Sequence, residues 1–294
     1  VQDHVARLSN GDVLVLENLR FHAEEEKNDP AFAQALATLA EVYVNDAFGS
    51  SHRAHASVVG MVQHFATKGI GLLMRKEIAA LSCLLANPEP PFVVILGGAK
   101  VSDKIGLIRS LLPRVQTMII GGAMAYTVQQ AQGAAVGKSR VEADKEEEVK
   151  AMLTEAAQRG VTILLPRDHV VVPELKAGVP SSTTSGRDIP DHLLGVDIGP
   201  QSIASFRTAI QSARTILWNG PMGVFEIPPF DHGTRTLAEA VAATPSFSVA
   251  GGGDTVAAVT QAGLADKISH ISTGGGASLE FLEAGDLPGL AALR

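Results

Sequence analysis

The 294-residue chain holds a single cysteine and no excess of positive charge. A lone Cys83 excludes an internal disulfide framework and fits a reducing, cytoplasmic compartment. Its setting in Ala79-Ala80-Leu81-Ser82-Cys83-Leu84-Leu85 reads as helical, which marks it as a core thiol rather than a nucleophile. The formal net charge of -7 gives no bulk basic character to suggest nucleic acid. No apolar run approaches the roughly 18 residues that span a bilayer, so no membrane partner is expected. No signal peptide is expected, and the chain shows no short-period repeat. The chain does not open with Met, and its first residues already read like a domain interior, so the start is expected to be missing.

Two nucleotide fingerprints are also lacking. Gly133-Ala-Ala-Val-Gly137-Lys138-Ser139 is one residue short of the phosphate loop G-x-x-x-x-G-K-S, position 132 is Gln132, and no strand precedes it. No G-x-G-x-x-G follows an expected strand, which argues against a nicotinamide dehydrogenase.

What is present is a recurring apolar strand that runs into glycines. Phe92 to Leu96 is short, β-branched and apolar on both faces, as a buried parallel strand should be. It runs into Gly97-Gly98-Ala99-Lys100, with Lys104 four residues further on. That spacing puts both ammonium groups on one face of a following helix. Cations beside a helix N-terminus suit a polyanion such as a phosphate chain; taken alone, the stretch also reads as a corner with two solvated lysines. The same pattern recurs at Thr117–Ile120 into Gly121-Gly122, at Thr215–Trp218 into Asn219-Gly220-Pro221, at Phe247–Ala250 into Gly251-Gly252-Gly253, and at Ile268–Thr273 into Gly274-Gly275-Gly276. Open parallel sheets bind ligands beyond the carboxyl ends of their strands, so five such turns favour the polyanion pocket.

The length allows two domains, and 46% hydrophobic residues is ordinary for a globular chain. Asp12–Leu16 and Glu41–Asn45 read as strands flanking a helix at 30–40, one right-handed β–α–β unit. That is too little for an independent sheet. The expected architecture is α/β: two Rossmann-like three-layer domains with parallel sheets, the first incomplete. The expected bounds are 1–67 for the first domain, 68–90 for a hinge helix and linker ending at the prolines 88, 90 and 91, 91–283 for the second domain, and 284–294 for a segment returning to the first. A surface helix is expected at 144–159, a strand at 161–165 and a loop at 177–191.

Asp254-Thr255 follow three glycines at a helix start. An N-cap aspartate and a magnesium-holding carboxylate are both open locally; the lysine pair on the same edge favours magnesium. Arg20 and Arg53 each follow a strand, where an anionic substrate would sit; a surface salt bridge is the plain alternative for each. His52 and His55 have H-x-x-H spacing, but nothing completes a metal site.

These segments together resemble phosphoglycerate kinase over essentially the whole chain. The matching stretches are Leu16–His22, Asp46–Ser57, Leu73–Ile78, Gly97–Lys104, Trp218–Glu226, Gly251–Thr255 and Ser272–Glu280. The resemblance implies a hinged two-domain kinase that moves a phosphoryl group reversibly between 1,3-bisphosphoglycerate and MgADP, giving 3-phosphoglycerate and MgATP, as a monomer when intact. It assigns Lys100 to the transferring phosphoryl group and Lys104 to the nucleotide phosphates. It gives Asp254 to Mg2+, Gly252, Gly253 and Thr255 to the phosphate end, Glu226 to the ribose, and Gly122 and Asn219 to Pro221 to the walls of the nucleotide site. Arg20 and Arg53 fall to phosphoglycerate. Family members carry roughly 100 further residues before the equivalent of Val1, with the rest of the phosphoglycerate site, judged from length. The chain is therefore expected to bind nucleotide with little or no kinase activity; a non-catalytic nucleotide-binding or interaction protein on the same scaffold is the alternative. Tyr126, where the family often has phenylalanine, is expected to be tolerated.

Overall fold

The computed structural model describes residues 1–294, which form two compact units. Unit 1 comprises Val1–Ala79 with Ala284–Arg294, and unit 2 comprises Ala80–Glu283. The division falls within the helix Leu72–Ala86. No helix is long and apolar enough to cross a membrane.

Unit 1 holds one parallel pair, β1 (Val42–Asn45) and β2 (Thr67–Ile70), in the register Val42↔Thr67 to Asn45↔Ile70. The expected partner at Asp12–Leu16 is not a strand. No ladder pairs with it, and Val13 and Val15 stand 84% and 85% exposed. The β–α–β unit is thus replaced by β1, a run of short helical turns at Phe48–Ser50, Ala56–Gly60 and Met61–His64, and β2. β2 was not legible because Thr-Lys-Gly-Ile is neither alternating nor uniformly apolar. The helix Pro30–Ala37 starts where its chemistry dictates: Pro30 occupies its first turn, and the Asp29 carboxylate accepts from the Phe32 amide at 2.9 Å. Its inward Ala33 and Leu36 join Phe48, Val58, Val62 and Phe65 in the core. Buried Glu25 accepts from the Ser57 amide at 3.0 Å and the Ser57 hydroxyl at 2.5 Å. The C-terminal segment is fixed to this unit through Gly289 N–H to Ser51 O at 2.8 Å and Lys68 Nζ to Ala292 O at 3.1 Å.

The helix Leu72–Ala86 buries Met74, Glu77, Leu81 and Leu84 on one stripe. Cys83 lies off that stripe and is exposed, so the expected core thiol is a surface thiol.

Unit 2 is built on a six-stranded parallel sheet. In chain order its strands are β3 (Phe92–Leu96), β4 (Thr117–Ile120), β5 (Thr162–Leu164), then, after a separate three-stranded antiparallel sheet of β6 (His169–Val172), β7 (Ser182–Thr183) and β8 (Leu194–Ile198), β9 (Thr215–Asn219), β10 (Phe247–Gly251) and β11 (His270–Ile271). The spatial order is β11-β10-β9-β3-β4-β5. β3 and β9 are buried at every residue, as central strands covered on both faces must be. The core between sheet and helices includes Ile95, Phe206, Ile216, Trp218 and Leu237. The antiparallel sheet was not anticipated: β7 falls inside the expected 177–191 loop and is two residues long. Within that loop Ile189 is 1% exposed.

The order decides where a ligand can sit. From β3 the chain steps outward to β4 and β5 on one side; from β9 it steps outward to β10 and β11 on the other. β3 and β9 are paired, Leu96 opposite Asn219, so the direction of winding reverses between their carboxyl ends. A crevice opens at such a reversal.

Candidate functional site

A cleft of about 460 Å³ lies at that reversal, lined by the turn after β3 (Gly97 to Lys100, Asp103 and Lys104), the turn after β9 (Asn219, Gly220), Gly252 to Thr255 after β10, and Gly275, Gly276 and Leu279 after β11. Lys100, Lys104, Asn219, Gly252, Gly253, Asp254 and Thr255 are thereby brought together. A smaller pocket of about 210 Å³ shares Gly98, Ala99 and Asp254 with the cleft and holds Gly122, Pro221 and Glu226 beside Tyr126, Met222 and Val224. Arg20 and Arg53 line neither; both are exposed residues of unit 1. The ion pairs within that unit are His55–Glu25 and Arg294–Asp286, so neither arginine is a salt-bridge partner there.

The lysines are not on a helix face. Residues 97–104 form a turn, and the helix Ile105–Leu111 starts only after Lys104. The glycines explain why. Gly98 has φ 103°, a backbone state that side chains disfavour, and stops the strand from continuing into a helix. Gly97 lies against the carbonyls of Gly220 and Pro221, so a Cβ there would strike backbone. Part of the glycine signal is therefore the packing of loop on loop. Trp218 helps fix the second loop, its buried indole N–H donating to Gly220 O at 2.8 Å.

The floor of the cleft is a chain of hydrogen bonds. Lys104 Nζ donates to Asn219 Oδ1. The Asn219 side-chain Nδ2 donates to Gly251 O at 2.8 Å. The Gly220 amide donates to the Thr255 hydroxyl at 2.6 Å, which commits that buried oxygen to holding the two turns together. Burial pushes the Lys104 ammonium down to about 8, against the opposing pull of Asp103 and Asp254. Lys100 and Asp254 are exposed.

The lining carries three cations, Lys100, Lys104 and Arg140, against two carboxylates, Asp103 and Asp254. This local excess stands in a chain of net charge -7. Two helices, Gly253–Gln261 and Gly276–Ala284, begin at the cleft and add the partial positive charge of their first-turn amides. The arrangement suits a chain of phosphates. Arg140, Asp103 and Gly275–Gly276 were not picked out from the sequence as site residues. The turn at Gly274–Gly276 was visible as a pattern, whereas Arg140 follows no strand and gives no local signal.

The family model described as phosphoglycerate kinase matches residues 1–285. The chain belongs to the phosphoglycerate kinase family. The chain is 56% identical over 293 residues to the phosphoglycerate kinase of Moorella thermoacetica, which covers 100% of this chain and 74% of that relative. It is 55% identical over 294 residues to that of Koribacter versatilis, covering 99% and 73% respectively. Among solved structures, phosphoglycerate kinase from Coxiella burnetii superposes with a TM-score of 0.89 at 39% identity, over 96% of this chain and 73% of that one. The enzyme from Pyrococcus horikoshii does so with a TM-score of 0.85 at 32% identity. Members of this family are kinases, and the chain is accordingly a phosphotransferase with a carboxyl group as acceptor, built on Rossmann-like α/β units.

Proposed function

We propose that unit 2 binds ADP or ATP across the cleft and its adjoining pocket, and that the reaction is reversible phosphoryl transfer between 1,3-bisphosphoglycerate and MgADP. The carrying observation is the meeting of three cations and two helix N-termini at the switch point of the sheet. The phosphates lie along Lys104 and the amides of Gly252 and Gly253, with Asn219 and Thr255 holding the floor. The nucleoside enters the adjoining pocket, where Gly122 and Pro221 form walls and the Glu226 carboxylate accepts hydrogen bonds from ribose hydroxyls. Exposed Lys100 takes the transferring phosphoryl group.

Mg2+ fits this donor set only in company with the nucleotide. No group of three His, Cys, Asp or Glu residues is gathered anywhere in the chain. Asp254 with phosphate oxygens and water matches the one or two carboxylates that magnesium takes. Bound there, the ion neutralises charge on the phosphates. The protein's own task is positioning and electrostatic stabilisation, since phosphoryl transfer asks for little covalent chemistry.

Arg20 and Arg53 bind phosphoglycerate on unit 1. Both are exposed residues of a unit whose sheet has only two strands, with Val42 and Val44 of β1 exposed, and a two-stranded pair is a marginal platform. The chain by itself therefore binds nucleotide but transfers phosphate slowly. It acts as a cytoplasmic monomer with no nucleic-acid or membrane partner. The same sparseness of unit 1 supports the second reading, a nucleotide-binding protein that does not turn over.

A coupled assay of phosphoryl transfer from ATP to 3-phosphoglycerate separates these readings. Slow turnover abolished by Lys100→Ala supports the enzyme, and nucleotide binding with no turnover supports the second reading. A rate equal to that of a full-length relative overturns the expected weakness.

A further inference from the structure

Two cations on one turn repel each other, and a turn opened by glycines is floppy unless something holds it. Upstream it is tied by Gly97 N–H to Asn219 O at 3.0 Å and Gly98 N–H to Pro221 O at 3.1 Å. Between the two lysines, one side chain does the tying. Glu142 Oε2 accepts from the Val101 amide at 2.6 Å and from the Ser102 amide at 3.1 Å, while Oε1 accepts from the Ser102 hydroxyl at 2.6 Å. Glu142 is itself anchored: its amide donates to the Thr127 hydroxyl at 3.1 Å, on the helix Met124–Ala131. The clamp reaches across 40 residues of sequence and lands on the two residues that follow Lys100.

We propose that Glu142 is a positioning residue for Lys100 and Lys104, clamping the Val101–Ser102 turn so that both ammonium groups face the nucleotide phosphates. The inference rests on the nucleotide reading of the cleft given above. The carboxylate is well matched to the task because it uses both oxygens and keeps its charge. Desolvation works against that charge, but the hydrogen bonds from Ser102 and Val101 and the nearby Lys100 charge outweigh it and hold the pKa below the usual carboxylate value. Arg140, two residues before Glu142, lines the same cleft, so one short segment supplies a cation to the site and the clamp for two others.

The test is a titration of the unmutated chain, Glu142→Ala and Glu142→Gln with MgADP and, separately, with adenosine, which lacks phosphates. Glu142→Ala should weaken MgADP about tenfold or more, in line with losing several charge-assisted hydrogen bonds, and leave adenosine within about twofold. Glu142→Gln keeps one acceptor oxygen and should recover part of the loss. Equal weakening of both ligands would show a merely structural role, and unchanged MgADP affinity would show no role; either overturns the inference. Amide exchange at Val101 and Ser102 in the ligand-free chain makes the clamp independent of the nucleotide reading. Faster exchange in Glu142→Ala is expected, and unchanged exchange overturns the clamp even if no nucleotide binds. If the unmutated chain binds no MgADP while exchange responds, the nucleotide reading fails, and the positioning role fails with it although the clamp stands.

Discussion

Lys104 should make nucleotide binding consume protons. In the free chain its ammonium is half-buried against Asn219, and burial brings it from 10.5 to about 8. A phosphate beside it favours the charged form and drives the value back up. The sign follows directly: the bound state holds more protons than the free state wherever free Lys104 is partly neutral. With a free value of about 8, uptake per nucleotide should be about 0.1 proton at pH 7, about 0.5 at pH 8 and about 0.9 at pH 9. Affinity should accordingly fall above pH 8, approaching tenfold, or about 1.4 kcal/mol, per pH unit. The second ionisation of a phosphate monoester lies near pH 6, so the ligand adds little in this window. Calorimetric titration with ADP in saturating magnesium, in two buffers of different ionisation enthalpy, reads the uptake directly. Lys104→Met is the control and should bind weakly, with this rise in uptake removed. Uptake that stays near zero across the range, or that persists unchanged in Lys104→Met, would refute the argument.

Three further outcomes are expected. Gly97→Ala places a Cβ against the backbone carbonyls of Pro221 and Gly220; it should cost about 3 kcal/mol by chemical denaturation and weaken nucleotide binding. Gly195→Ala meets the Tyr126 ring and hydroxyl and should cost about 1–3 kcal/mol, part of it regained in the double variant with Tyr126→Phe; Tyr126→Phe alone should leave the melting temperature nearly unchanged. His169 is fully buried, and desolvation, opposed by the Arg187 backbone and the Asp168 charge, lowers its pKa from 6.5 to about 4. The unfolded chain then binds more protons between those values, so this residue withdraws stability as pH falls from 6.5 towards 4, by about 2 kcal/mol at pH 5. Burial raises Asp197 to about 7, which acts with the opposite sign over the same range. The readout is therefore the difference between the chain and His169→Phe, which should flatten the acid limb; parallel pH profiles would contradict it.

The strands that build the site were legible because burial writes itself into composition. Phe92–Leu96, Thr117–Ile120, Thr215–Asn219 and Phe247–Gly251 sit in the large sheet almost where their apolar runs put them. Asp12–Leu16 has equally strand-like residues and is not a strand, because a ladder needs a neighbour and residue pattern does not supply one. The glycine turns were visible, but their division of labour was not: Gly97 and Gly220 serve packing between loops, whereas Gly253 faces open space at the cleft. The i, i+4 spacing of Lys100 and Lys104 suggested a helix face, yet the cations share a site because a turn and a distant carboxylate hold them. Such contacts join residues far apart in the chain and leave no local trace, which is also why Arg140 and Glu142 went unseen.

The central claim, that unit 2 carries a formed site for a magnesium–nucleotide, is tested most directly by calorimetric titration of this chain with ADP, with and without magnesium, beside Lys104→Ala. Binding strengthened by magnesium and lost in the variant is the result expected from the cleft described. Absence of binding to the unmutated chain, or binding indifferent to Lys104, would contradict it.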